Sequence, residues 1–217
     1  MEYMSKYAKY TYEKQDEDLI KGLDEYINRY AEDIYLFFDP TLERKQAKIT
    51  IIPTKKEYDE WFKVKWNRDE IPNWDIGNTY EGNITFVSLH DYGNTQHAHW
   101  LKNYEQALID YNKTIVHEYV HFVTILYQIK NNINKPLRYL TEGIAQYLSH
   151  QRDNLNLNFH YSLEDILESK SCYIGYYLMV KYILDNYGKE YFFKLLSDND
   201  YALEETKKIY EEIKKDN

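Results

Sequence analysis

The second half of the chain has an almost continuous helical pattern. From about residue 100 onward, apolar residues recur every three to four positions, which predicts a series of helices. The predicted helices cover residues 101–111, 113–130, 137–150, 162–168, 173–186 and, in pieces, 190–214. We therefore expect β-strands mainly in the first half of the chain.

The first half mixes helical and strand patterns. Apolar residues at helical spacing predict one helix over residues 17–38, which Asp39-Pro40 ends, and another over residues 55–66. Short β-branched stretches predict strands at residues 47–53 and 82–89. This order predicts an α+β fold, with a small N-terminal mixed sheet and helices followed by a mainly helical C-terminal half.

The length and the absence of dividing segments favour a single domain. A chain of 217 residues can bury one substantial core, and the sequence has neither an internal repeat nor a long linker. We predict one domain over residues 1–217, with a sheet-containing lobe at about 1–112 and a helical lobe at about 113–217. An active site is expected between these two lobes.

Charge and cysteine content exclude several classes of function. The formal net charge of -9 disfavours nucleic acid and anionic membrane surfaces as partners, because both require a basic face. Cys172 is the only cysteine, so any zinc site must depend mainly on histidines and carboxylates. No run of 18 apolar residues predicts a membrane span, and the first residues lack the pattern of a signal peptide. We expect a soluble protein, either cytoplasmic or secreted with its signal removed.

A pair of histidines marks the region that carries chemistry. His117-Glu118-Tyr119-Val120-His121 has the pattern HExxH within a predicted helix. Residues four apart on a helix differ by about 40° around the axis and about 6 Å along it, so both imidazoles can bind one metal ion. Glu118 lies beside them, suited to act as a base rather than as a third ligand.

A third ligand is predicted on the next helix. Glu142 follows His121 by 21 residues, beyond a loop that allows an antiparallel return, and Gly143 and Ala145 would let two helices approach closely. Two imidazoles and one carboxylate form an accepted zinc ligand set that leaves a position open for water. The alternative for Glu142 is a carboxylate near a helix N-terminus or on a solvated face.

These residues resemble the motif of the gluzincin metallopeptidases, especially the peptidase MA-like group. In that group HExxH is followed, about twenty residues later, by a helix with the pattern Glu-Gly-x-Ala, which His117, Glu118, His121 and Glu142 match. The resemblance covers about residues 47–196, and its motifs are strong in three short places. It implies a zincin-like fold and one Zn²⁺ per chain, with peptide or protein substrates.

The resemblance also implies roles for individual side chains. Glu118 would be the general base, and Tyr173, which begins a helix that ends in Tyr-Gly in that group, would stabilise the oxyanion. Tyr176 and Tyr177 compete for this role. The strand over residues 84–89 would pair with an extended substrate if it forms a sheet edge, or otherwise belongs to the core.

One departure from the family pattern keeps a second function open. Gln146 stands where gluzincins often have an acidic residue that supports a ligand, and a neutral amide raises ligand basicity less. The main hypothesis is a zinc-dependent peptidase. The alternative is a catalytically inactive domain that binds a metal and a protein partner. The sequence leaves the oligomeric state and the cleavage specificity open.

Overall fold

The structure, a computed structural model, describes residues 1–153, 155, 157–169 and 171–216. The chain divides into two compact units, Met1–Leu126 and Tyr127–Asn217. The first contains a sheet and helices, and the second is helical, so the predicted α+β class is confirmed. The division falls C-terminal to the lobe boundary that the sequence suggested near residue 112.

The first unit is built on a mixed five-stranded sheet. Its strands are β1 (Glu2–Met4), β2 (Ala8–Thr11), β3 (Ala47–Ile52), β4 (Gly77–Tyr80) and β5 (Asn83–Val87). The spatial order is β1-β2-β3-β5-β4, so β1 and β4 are the edge strands. The pairs β2/β3 and β3/β5 are parallel, whereas β1/β2 and β4/β5 are antiparallel.

Three helices accompany this sheet, and two of them have the predicted bounds. These are α1 (Glu17–Phe38), α2 (Lys55–Trp66) and α3 (Tyr104–Asn131). The predicted break near residue 112 is wrong, because α3 continues through the buried Tyr111 and Asn112 without interruption. The candidate metal-binding motif therefore lies in the interior of a long helix rather than near a helix start.

The sequence did not predict strands β1 and β2, which are held to α1 by one buried carboxylate. Asp24 accepts hydrogen bonds from Tyr3 (3.4 Å), Ser5 (2.5 Å), Tyr10 (3.0 Å) and Asn28 (2.8 Å). Four donors satisfy the buried acid and fix the strands to the helix. The strands contain only three and four residues, which is too short for a periodic signal.

Strand β4 was also missed, and it changes the interpretation of β5. It lies in residues 72–82, where Pro72, Gly77 and Gly82 indicated turns. It joins β5 through a two-residue turn at Glu81 and Gly82, whose φ angles are 49° and 76°. Because β5 pairs with β3 on one side and β4 on the other, it is not a sheet edge. Of the two alternatives for residues 84–89, the structure therefore selects the core rather than a sheet edge, and β4 takes the edge position.

The second unit consists of short, amphipathic helices. They are α4 (Arg138–Leu148), α5 (Leu163–Glu168), α6 (Tyr173–Asn186), α7 (Gly188–Ser197) and α8 (Asn199–Asp216). The helices predicted in this half are confirmed, with shifts of one to three residues at some ends. None of the helices in the described ranges is long and apolar enough to cross a membrane.

Helices α4 and α6 approach most closely at Gly143. A Cβ atom at this position would collide with the backbone carbonyl of Tyr176 and with the side chain of Val180. The sequence analysis assigned this glycine to the approach of the HExxH helix and the Glu142 helix. The contact that the structure assigns to it is with α6, which fixes the rotation of α4 and hence the direction of the neighbouring Glu142.

Candidate metal centre

The Nε2 atoms of the two HExxH histidines lie close together. Both belong to α3, and their Nε2 atoms are 3.0 Å apart, with the rings nearly perpendicular at 81°. His117 is buried, with 7% of its surface exposed. A tetrahedral zinc site with bonds of about 2.0–2.1 Å separates its ligand atoms by about 3.3 Å, so the spacing of these nitrogens suits a shared ion.

Glu118 is buried beside the histidines and is held by a threonine of the edge strand. The Thr79 hydroxyl of β4 lies 2.6 Å from Glu118 Oε2 and 2.9 Å from the Glu118 backbone carbonyl oxygen. A hydroxyl has a single proton, so it donates to one of these oxygens at a time or shares the proton between them. The contact leaves Oε1 of the carboxylate available to act as a base.

A second acid in the first unit responds to the charge of Glu118. The pKa of Asp75 is raised to about 6, mainly by burial; a hydrogen bond from Tyr58 lowers it, and the negative charge of Glu118 raises it. The Tyr58 hydroxyl donates to Asp75 Oδ1 at 2.8 Å. Like charges in a poorly hydrated region disfavour double ionisation. Burial and the nearby charge of Glu118 thus both favour the protonated form of Asp75.

Glu142 lies in the first turns of α4 and is mostly buried. Its side chain is 16% exposed, and its Oε1 is 3.3 Å from Nη2 of Arg138, one helical turn earlier. This pairing excludes the reading of Glu142 as a fully solvated surface acid. The Arg138 side chain is itself 46% exposed.

His117, His121 and Glu142 form a group that could hold a metal ion. Each offers one ligand atom, and these atoms all lie within 4.8 Å of one another. The two nitrogens are 3.0 Å apart, close to the separation of about 3.3 Å in a tetrahedral zinc site. Two neutral imidazoles and one carboxylate also suit a borderline-soft divalent cation. The residues present therefore fit the predicted metal.

The structure distinguishes the three tyrosines at the start of α6. Tyr176 is fully buried, and its hydroxyl donates to the backbone carbonyl of Ser169. Tyr177 is also buried, and burial raises the pKa of its hydroxyl. Tyr173 is half-buried, and its hydroxyl oxygen lies 3.4 Å from Arg138 Nη2, the same nitrogen that pairs with Glu142. Of the three tyrosines, Tyr173 is the one whose hydroxyl contacts Arg138, the side chain that also pairs with the candidate ligand Glu142.

Gln146 does not use its amide in the way that the sequence suggested. Its Nε2 donates to the backbone carbonyl of Tyr173 at 2.7 Å, and its Oε1 accepts from Arg152 Nε at 2.9 Å. The family pattern implied a residue that supports a ligand at this position. Instead, Gln146 joins α4 to the first residue of α6 and so helps to place Tyr173.

Sequence reasoning missed three residues that shape this region. Thr79 lies in a strand that was not predicted, and Asp75 lies in a segment that resembles a loop. Arg138 could have been found, because it precedes Glu142 by one helical turn and residues four apart on a helix are neighbours. Five other histidines, to which the sequence analysis gave no role, are outside the group of ligands: His90, His97, His99, His150 and His160.

We compared the chain with models of protein families, with curated proteins and with solved structures, and none of them matches. The functional interpretation therefore depends on the residues of this chain.

Proposed function

We propose that the protein is a zinc-dependent peptidase with a zincin-like arrangement of residues. The observation that carries the proposal is the convergence of His117, His121 and Glu142 within 4.8 Å, with a buried Glu118 next to the first ligand. A carboxylate adjacent to a three-ligand site is what hydrolysis by an activated water requires. The same three side chains would bind one Zn²⁺ per chain.

The chain's own residues divide the chemistry among them. Zinc bound at this site would act as a Lewis acid and lower the pKa of a water molecule to about 7. Glu118 would accept the proton of the attacking water and return it to the leaving amine nitrogen. The hydrogen bond from Thr79 holds one carboxylate oxygen in a fixed direction, which leaves the other for proton transfer.

Tyr173 would stabilise the negative charge that develops on the carbonyl oxygen. The Tyr173 hydroxyl oxygen lies 3.4 Å from Arg138 Nη2, which also pairs with the candidate ligand Glu142, so the hydroxyl is close to the proposed site. Tyr176 is a poorer candidate since its proton is already donated to Ser169. This supports Tyr173 over its neighbours for the role.

Strand β4 would bind the backbone of an extended peptide. As an edge strand it has one side that no other strand of the described sheet pairs with, and its Thr79 contacts the proposed base. Peptides commonly add to such edges as a further strand. This places the substrate-binding function on residues 77–80 in place of residues 84–89.

The test is the replacement Glu118→Gln, which keeps the shape of the side chain and removes its basicity. We expect the variant to retain zinc, measured by elemental analysis after dialysis, and to lose at least about 1,000-fold in kcat on a mixed peptide library. The matched control is Glu105→Gln, an exposed residue of the same helix. Full activity in Glu118→Gln, or an absence of zinc in the parent protein, would contradict the proposal.

The inactive metal-binding domain remains the second candidate because of Gln146. Its amide is bonded to Arg152 and to the backbone of Tyr173, so it supplies no negative charge to support a ligand. This function predicts that the parent protein binds zinc at a 1:1 ratio and cleaves no member of the library. Cleavage that Glu118→Gln abolishes would exclude it.

A further inference from the structure

Arg138 places a cation beside two groups of the proposed site. A single guanidinium nitrogen, Nη2, lies 3.3 Å from Glu142 Oε1 and 3.4 Å from the Tyr173 hydroxyl oxygen. Both distances are at the long end for hydrogen bonds, and neither contact is bidentate. Within the described part of the chain, Nε and Nη1 of Arg138 have no hydrogen-bond partner. Each edge of a guanidinium that binds a planar anion, Nη1 with Nη2 or Nε with Nη2, includes Nη2, so the availability of Nη2 decides whether Arg138 can bind one.

Arg138 is a positive charge in a chain that has an excess of negative charge. The protein has 36 acidic and 27 basic residues, and Arg138 is the sole basic residue of α4. An excess of negative charge disfavours the approach of an acidic peptide in general. A guanidinium in contact with Glu142 and Tyr173 would offset that repulsion locally.

We propose that Arg138 is a specificity-determining residue that selects peptides with a carboxylate close to the scissile bond. The inference rests on the proposed peptidase function and deepens it. Arginine binds carboxylates through two parallel N–H···O bonds from Nη2 together with Nη1 or Nε. Nη1 and Nε have no described partner, so either edge opens when Nη2 turns from Glu142 to the substrate. The carboxylate is supplied either by an Asp or Glu side chain or by the C-terminus of the peptide.

Occupation of the metal site makes Arg138 more available to a substrate. In the metal-free protein the charge of Glu142 is balanced by Arg138. A carboxylate that binds a divalent cation shares its charge with that cation and attracts a guanidinium less strongly. The exposed side chain can then pair with an anion from outside the protein, because 46% of its surface is accessible.

The experiment compares matched peptides on the parent protein and on Arg138→Gln. One series varies a single side chain next to the cleaved bond among Glu, Gln and Lys, and a second series varies the C-terminus between free carboxylate and amide. For the parent we expect kcat/KM to be about 10-fold higher for the carboxylate member of one series, the low end for a charge-assisted contact, since the site is half-exposed. Arg138→Gln should remove this ratio, and the series that shows it identifies the source of the carboxylate.

A binding measurement separates recognition from turnover. The peptides are titrated into zinc-loaded Glu118→Gln and into the double variant with Arg138→Gln, and affinity is followed by fluorescence anisotropy. The carboxylate peptide should bind about 10-fold more weakly to the double variant, whereas its amide counterpart should bind equally to both. Arg138→Lys retains the positive charge but cannot form two parallel hydrogen bonds with a carboxylate, so the ratio of the two affinities should be intermediate.

The controls distinguish the possible failures. Arg68→Gln removes the same charge at an exposed position and should leave the ratio unchanged. If Arg138→Gln lowers kcat/KM equally for all peptides, or if the parent shows no preference between members of either series, Arg138 is not a specificity residue. A parent that neither binds zinc nor cleaves any peptide defeats the proposed function instead. Circular dichroism confirms that each variant is folded.

Discussion

The segment around HExxH and the segment around Glu142 prepare their candidate ligands in different ways. On α3, His117 and Glu118 are 7% and 8% exposed, and the Glu118 carboxylate is held by Thr79 of the sheet. On α4, Glu142 is 16% exposed and is paired with Arg138, which is 46% exposed. The first segment is fixed by burial, and the second by an ion pair that a solvent or a ligand can reach.

This difference separates what spacing determines from what packing determines. The geometry of the two histidines follows from four residues of helix and needs no other part of the protein. The direction of Glu142 depends on how α4 is rotated about its axis. The close contact of Gly143 with α6 sets this rotation, because a larger side chain there would collide with α6. A substitution at Gly143 should therefore alter both stability and the direction of Glu142, whereas the spacing of the two histidines should depend on α3 alone.

The largest effects should come from removing a ligand, and they test whether both segments bind the metal. We expect His117→Ala, His121→Ala and Glu142→Ala each to weaken zinc binding at least 100-fold, beyond the roughly 10- to 100-fold cost of losing a supporting residue. Competition with a fluorescent chelator gives the affinities. His160→Ala, an exposed histidine outside the group, is the control. An unchanged affinity in Glu142→Ala would restrict the site to α3.

The same difference explains how far the sequence could predict the structure. Helices α1, α2 and α6 and strands β3 and β5 were predicted because their apolar patterns are regular over several turns or positions. The candidate ligands were predicted because their spacing in the chain is distinctive. Strands β1, β2 and β4 were not, since three or four residues hold no period and their pairing depends on distant partners such as Asp24.

The partners of the candidate ligands were beyond the reach of sequence reasoning for a similar reason. Gln146 stands where the family pattern has a residue that supports a ligand, but its described contacts are with Arg152 and the backbone of Tyr173. Side-chain hydrogen bonds of this kind depend on distances of a few tenths of an ångström in the folded chain. A motif identifies which residue types are present and leaves their contacts to tertiary packing.

The second prediction tests the packing of α4 with a matched pair of glycines. Gly143→Ala should destabilise the protein by about 1–3 kcal/mol, because a Cβ atom would overlap with the α6 backbone. Gly22→Ala, on an exposed face of α1 where a Cβ meets nothing within 4 Å, should instead stabilise it by about 0.5–1 kcal/mol. Urea denaturation measures both. Equal effects of the two substitutions would show that α4 is not fixed by its contact with α6.

The third prediction concerns the acid that responds to Glu118. The pKa of Asp75 is raised to about 6 in the folded protein, so its contribution to stability is complete at low pH and is lost as the pH rises through about 6. Asp75→Asn retains an acceptor for the Tyr58 hydroxyl but cannot ionise. The variant therefore does not lose stability through this group as the pH rises. We expect its stability relative to the parent to increase between pH 4 and pH 7, by on the order of 1–3 kcal/mol.

Chemical denaturation at a series of pH values provides this measurement. The control is Asp69→Asn, an exposed aspartate of the same unit, which should follow the parent across the range. If Asp75→Asn also runs parallel to the parent, the buried region around Glu118 is better hydrated than its burial indicates. The first segment would then resemble the second in its access to water.

The smallest effect should come from Thr79, whose hydroxyl directs Glu118 without touching the metal ligands in any described contact. Thr79→Val keeps the β-branched shape of the side chain and removes the hydrogen bond of 2.6 Å to Oε2. The loss of a hydrogen bond to a charged group in a buried region costs about 1–3 kcal/mol of interaction free energy. A carboxylate that regains water recovers much of this free energy. We therefore expect a fall in kcat of about 10-fold. Zinc affinity should be unchanged, and Thr79→Ser, which retains the donor, should stay within a few-fold of the parent. A loss of zinc in Thr79→Val would mean that the edge strand supports the ligands of α3 as well as the base.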